Sequence, residues 1–106
     1  MRMAKLAIVG NGFVGASFGL AVKAAKMFDQ VAGFDRDRSR SEEALRRGAL
    51  DVAERKVQAA VDGAVLTVVT VPDDELEPAL RDMARGLMPG SVVTDTSRWK
   101  VSAQEI

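Results

Sequence analysis

The 106-residue chain, with 47% hydrophobic and 28% charged side chains, has the length and balance of one globular domain with its own core, not of a disordered or membrane-spanning protein. Its 15 Lys and Arg offset 15 Asp and Glu, so no net field points to nucleic acid or an anionic membrane as a partner. The absence of cysteine excludes disulfides, thiolate metal sites and a cysteine nucleophile, and the absence of histidine removes the commonest general base near neutral pH.

Met1 to Ala4 runs straight into the first apolar segment without the charged leader and cleavage site of a secretory signal. A cytoplasmic setting is the expectation. Leu6 to Val9 is a short branched apolar run that stops at Gly10, the pattern of a strand buried on both faces. From Phe13 to Lys26 the apolar positions Val14, Phe18, Ala21, Val22 and Ala25 recur three and four apart, which predicts a helix burying that stripe. Gln30 to Asp35 reads as a second strand ending in a carboxylate.

The charged stretch from Arg36 to Arg47 predicts a solvated helix, with Ser39 and Glu42 at capping-box spacing and Gly48 at its end. A short third strand is expected over Ala49 to Ala53 and one helical turn over Lys56 to Val61. Ala64 to Val71 is the strongest strand in the chain, closed by Pro72, and should be central. Asp73, Asp74, Glu75 and Glu77 then sit where a helix N-terminus favours acids, with Pro78 in the first turn and Leu76, Leu80, Met83, Ala84 and Leu87 as the buried face. These acids read as dipole-stabilising side chains, and no metal site is expected. Ser91 to Asp95 predicts a further strand and Val101 to Ile106 the start of another helix. The alternation predicts an α/β fold of Rossmann type, a parallel sheet in the order 3-2-1-4-5 with helices on both faces, in one domain over residues 1–106.

The first turn carries Gly10, Gly12 and Gly15 in the spacing G-x-G-x-x-G, after a strand and before a helix, which is the context that gives the pattern meaning. Gly10 permits the tight turn, Gly12 lets the backbone approach a pyrophosphate, and Gly15 lets the helix pack closely on the sheet. Asn11, Phe13 and Val14 complete that turn and the helix N-terminus that offers its amides to the phosphates. Asp35, at the end of the second strand, is placed to accept hydrogen bonds from the adenosine ribose. Its charge favours NAD over NADP, although Arg36 and Arg38 lie where an arginine can meet a 2′-phosphate or stack on adenine. S-adenosylmethionine is the rival ligand, but its enzymes usually carry an acid just ahead of the first glycine, where this chain has Ala7-Ile8-Val9. Gly19 reads as a site of close helix packing.

In five blocks the chain resembles the N-terminal domain of the prephenate and arogenate dehydrogenases: Val9 to Ser17, Gly33 to Asp37, Arg47 to Asp51, Val69 to Pro72, and Val92 to Asp95 with Lys100. The resemblance implies NAD(P)-dependent oxidative decarboxylation in tyrosine biosynthesis, with the glycines and Asp35 as cofactor contacts and Val71 and Pro72 along the nicotinamide ribose. Asp95 and Lys100 match the ends of a family motif D-x-x-S-x-K, whose serine sits beside the substrate hydroxyl. The sequence departs there, with Arg98 at the serine position and Ser97 one place earlier, so Ser97 is the catalytic candidate through a one-residue slip. Trp99 reads as a packing residue. The family's catalytic histidine lies beyond Ile106, as does the helical domain that completes the substrate pocket and the dimer. The chain is therefore expected to bind the dinucleotide, to meet a small-molecule substrate only together with that domain, to catalyse nothing alone, and to self-associate through surface the domain would cover. Two other readings stay open: the cofactor half of a β-hydroxyacid or pyrroline-carboxylate dehydrogenase, and a nucleotide-sensing module in which no hydride moves.

Overall fold

A computed structural model describes residues 4–95. The expectations for Ser97, Arg98, Trp99, Lys100 and the helix from Val101 lie outside those residues. Strands β1 (Lys5–Val9), β2 (Gln30–Phe34), β3 (Val52–Ala53), β4 (Leu66–Val69) and β5 (Val92–Asp95) alternate with helices α1 (Phe13–Ala25), α2 (Arg38–Arg46), α3 (Val57–Val61) and α4 (Asp73–Met83). Every strand pairing is parallel, and the order β3-β2-β1-β4-β5 is the expected one.

The continuous apolar run of β1 is explained by the layers on either side of it. Its residues alternate in direction, so Leu6 and Ile8 join Val22, Val31 and Leu50 in a core beneath α1 and α2. Ala7 and Val9 join Val57, Val61, Val69 and Met83 in a second core beneath α3 and α4. Neither face of β1 is left to water, as a strand in the middle of a parallel sheet requires, while at the edge Val92 and Thr94 of β5 stay exposed.

Of the stripe expected of helix α1 only Val22 is buried. Gly15, Gly19 and Val22 face the sheet, while Phe13, Val14, Phe18 and Leu20 are exposed. The reason is distance: a Cβ on Gly15 would lie 2.0 Å from the Gly10 carbonyl oxygen, and one on Gly19 would lie 2.4 Å from that of Ala49. The helix lies so close that side chains at these two positions are excluded, and the larger apolar residues turn outward.

Three smaller expectations also shift. The N-cap of α2 is Asp37, whose side chain accepts from the Ser39 amide, so Ser39 is the capped residue and not the cap. Strand β3 is two residues long, because buried Ala49 and Leu50 turn inward to pack over Gly19 and Gly33 before the chain extends. Helix α4 begins directly after Pro72, which leaves Pro78 in its second turn, where the ring removes one hydrogen bond of the helix. Of its expected face Met83 is buried and Leu76 and Leu87 half-buried, while Leu80 and Ala84 stay exposed.

Candidate functional site

Register places Val9, Phe34 and Val69 side by side at the carboxyl ends of β1, β2 and β4. The chain then leaves β1 for one face and β4 for the other, the switch point where doubly wound sheets open a crevice. A cleft of about 650 Å³ lies there. Gly10, Gly12, Asp35 and Thr70, each following the end of a strand, form its floor and rim, and Val71, Pro72 and Pro78 add an apolar wall.

The glycine turn is held from both sides. Gly10 has φ +100°, a conformation that L side chains rarely adopt, and its amide donates to the Phe34 carbonyl at 2.8 Å. On the β2 side Asp35 Oδ2 accepts from the Asn11 amide at 2.6 Å, while Oδ1 accepts from the Asp37 amide at 2.8 Å. On the β4 side the Thr70 hydroxyl donates to the Gly10 carbonyl at 2.7 Å, and the Thr70 amide donates to the Val9 carbonyl at 2.8 Å. The turn is thus fixed before any ligand arrives.

The three glycines divide their work. A Cβ at Gly10 would meet Thr70 Oγ1 at 2.8 Å, and one at Gly15 the Gly10 carbonyl oxygen, so both spaces are filled by protein. At Gly12 nothing lies within 4 Å. Gly12 caps α1 with no side-chain hydrogen bond, and Phe13 and Val14 follow it along the cleft wall. The first amides of a helix have no partners within it, so this end of α1 offers donors and a positive dipole to the open space.

The prephenate dehydrogenase nucleotide-binding domain model matches residues 18–105. The chain belongs to that family. Its match begins beyond Gly15, so the glycine turn stands on its own geometry. The Synechocystis arogenate dehydrogenase structure shares 26% identity and a TM-score of 0.78 over 86% of this chain and 32% of that one. An A. aeolicus prephenate dehydrogenase solved with hydroxyphenyl propionate and NAD+ shares 19% identity and a TM-score of 0.79, over 90% of this chain and 34% of the other. The same fold extends to a Myxococcus stipitatus imine reductase variant solved with NAD+, at 20% identity and a TM-score of 0.72 over 99% of this chain and 38% of that one. The chain spans about a third of the length of each. No curated protein sequence matches it.

Within this nucleotide-binding domain, Gly10, Gly12, Phe13, Val14, Asp35, Arg36, Val71 and Pro72 come together around one cleft. Asn11 and Gly15 lie beneath it. The Asn11 side chain is buried and donates to the Ile8 carbonyl at 3.0 Å, so it is the Asn11 backbone that serves the turn. Sequence reasoning missed Thr70, whose role depends on β4 lying beside β1, and it missed an ion pair across the cleft, Arg36 Nη1 to Glu75 Oε1 at 3.5 Å. Arg38, the other arginine considered for a 2′-phosphate, instead pairs with Glu42 along α2 at 3.1 Å. Behind the cleft, the hydroxyl and amide of Ser39, with Arg40 nearby, hold the Asp37 carboxyl below its ordinary range. No helix among the described residues is long and apolar enough to cross a membrane.

Proposed function

We propose that this domain binds NAD in the cleft above β1 and β4, with the pyrophosphate on the Gly12 backbone and the first amides of α1. The open space at Gly12 on the cleft carries this reading, since the spaces at the other two glycines of the motif are already filled by protein. Asp35 sits one strand away, where its carboxylate would take the adenosine ribose hydroxyls and disfavour a 2′-phosphate, so NAD is preferred to NADP. Val71 and Pro72 would flank the nicotinamide ribose, and Arg36 would lie over the adenosine end.

Bound there, NAD supplies the hydride acceptor for oxidative decarboxylation of prephenate or arogenate, a step of tyrosine biosynthesis in the cytoplasm. This chain's residues bind and orient the cofactor. Residues 1–106 form one domain, and substrate contacts, Ser97 apart, belong to a further domain like those of the longer relatives, which would also cover the self-associating surface. The same cleft would serve another dehydrogenase, and the fold match to an imine reductase over 99% of this chain makes a substrate panel the way to separate them.

Calorimetric titration with NAD and NADP tests the cofactor reading directly. Saturable NAD binding that weakens about tenfold or more in Asp35→Ala is expected, because that variant loses both the ribose acceptor and the anchor of the turn. Absence of binding by the wild-type chain contradicts the proposal. A longer form carrying the next domain should reduce NAD in the presence of prephenate or arogenate, and failure with both removes the substrate assignment.

A further inference from the structure

The adenosine end of the cleft carries more charge than ribose binding needs. Arg36 and Arg40 both line it, together with Asp35, Glu75 and Asp82. Each arginine faces an acid: Arg36 Nη1 lies 3.5 Å from Glu75 Oε1, and Arg40 Nε lies 3.8 Å from Asp37 Oδ2. The second pair is local to the start of α2. The first joins the residue after Asp35 to the first turn of α4, so it reaches from the β2 side of the cleft to the β4 side.

A guanidinium beside the acid that follows β2 is the group best suited to a phosphate monoester, which it meets with two parallel N–H donors. Here that guanidinium is 76% exposed, and the carboxylate that engages it is 34% exposed on the opposite wall. Asp35 cannot carry all the discrimination, because both its oxygens already accept backbone amides, whose dipoles offset part of its field.

We infer that Glu75 is a specificity-determining residue of this cleft. It holds the Arg36 guanidinium, so that Arg36 does not receive a ribose 2′-phosphate and NADP is disfavoured relative to NAD. The inference rests on the reading that the cleft binds a dinucleotide. It assigns to α4, through Arg36, a share of the selectivity otherwise ascribed to the acid after β2 alone.

Titration of the wild-type chain, Glu75→Gln and Arg36→Gln/Glu75→Gln with NAD and with NADP tests it through the ratio of the two dissociation constants. Glu75→Gln should shift that ratio toward NADP by about threefold to tenfold at low salt, with the shift shrinking as ionic strength rises. The double variant should lose the gain, because the freed guanidinium is what meets the phosphate. An unchanged ratio in Glu75→Gln, with NAD still binding, overturns the inference and leaves the cofactor reading intact. A gain that survives in the double variant also overturns it, since Glu75 would then act on the phosphate directly. Failure of the wild-type chain to bind either dinucleotide overturns the cofactor reading and the inference together.

Discussion

Residues 47–51 and 10–12 each press a turn against helix α1, and the two turns differ in what occupies the space around them. In the first, the contacts are protein on protein. The Ala49 carbonyl sits over Gly19, Leu50 packs on Gly33, and the Asp51 carboxylate accepts the Val31 amide at 2.7 Å and pairs with Lys23 of α1. In the second, Gly10 and Gly15 are closed in the same way, but Gly12 opens onto the cleft with nothing within 4 Å. Both turns belong to blocks that carry the family likeness, and Gly48 of the first is as open as Gly12, yet only the second lines a cleft. A glycine in a motif is understood from what fills the place of its missing side chain.

That contrast is sharpest in paired substitutions. Gly15→Ala forces a Cβ into the Gly10 carbonyl and should cost about 3 kcal/mol or more in urea denaturation, with Gly19→Ala nearly as damaging against Ala49. Gly12→Ala, at a φ of −72° that any residue adopts, loses only the N-cap preference for glycine over alanine and should cost no more than about 1 kcal/mol. Equal losses at Gly12 and Gly15 would erase the distinction.

The two threonines in and just after β4, Thr67 and Thr70, offer a finer comparison. Thr70 fastens the glycine turn, and Thr70→Val should cost about 1 kcal/mol and weaken NAD binding about threefold, while Thr70→Ser keeps both. Thr67 is fully buried and its hydroxyl finds no hydrogen-bond partner, so Thr67→Val should instead raise stability by about 1 kcal/mol. Thermal denaturation of the three variants distinguishes a threonine that positions the site from one that burdens the core.

The smallest effect belongs to the packed turn. Burial pushes the Asp51 carboxyl up, but the Lys23 hydrogen bond, the Val31 amide and the Lys23 charge outweigh it and hold the carboxyl below its ordinary value of 3.8. A carboxyl lowered in the folded state stabilises the fold above its unfolded value and loses that contribution as pH falls through the folded value. With both partners about a third exposed, the contribution is less than about 1 kcal/mol. Asp51→Asn should therefore flatten the acid limb of the stability curve slightly; an unaltered limb would show the pair to be inert.

The strand order, the glycine turn and Asp35 were legible in the sequence because each rests on local pattern: apolar runs, a spacing, and an acid at a strand end. Close packing at Gly15 and Gly19 was legible too, but the outward turn of Val14, Phe18 and Ala21 was not, because it depends on how near those glycines bring the helix to the sheet. Thr70 and the Arg36–Glu75 pair were hidden for the same reason, since both join segments far apart in the chain that only the parallel sheet brings together. The two-residue β3 escaped because Ala49 and Leu50, apolar enough to read as strand, fill space above two glycines instead.

The central claim is that the open space at Gly12 is where a dinucleotide phosphate meets the backbone. NAD affinity and urea stability, measured side by side for the wild-type chain and Gly12→Ala, test it most directly. Saturable NAD binding by the wild type and a loss of about tenfold or more in the variant are expected, with a stability loss of no more than about 1 kcal/mol. Equal affinity in the two stable proteins would contradict it, and would mean that the gap above Gly12 is not a binding site.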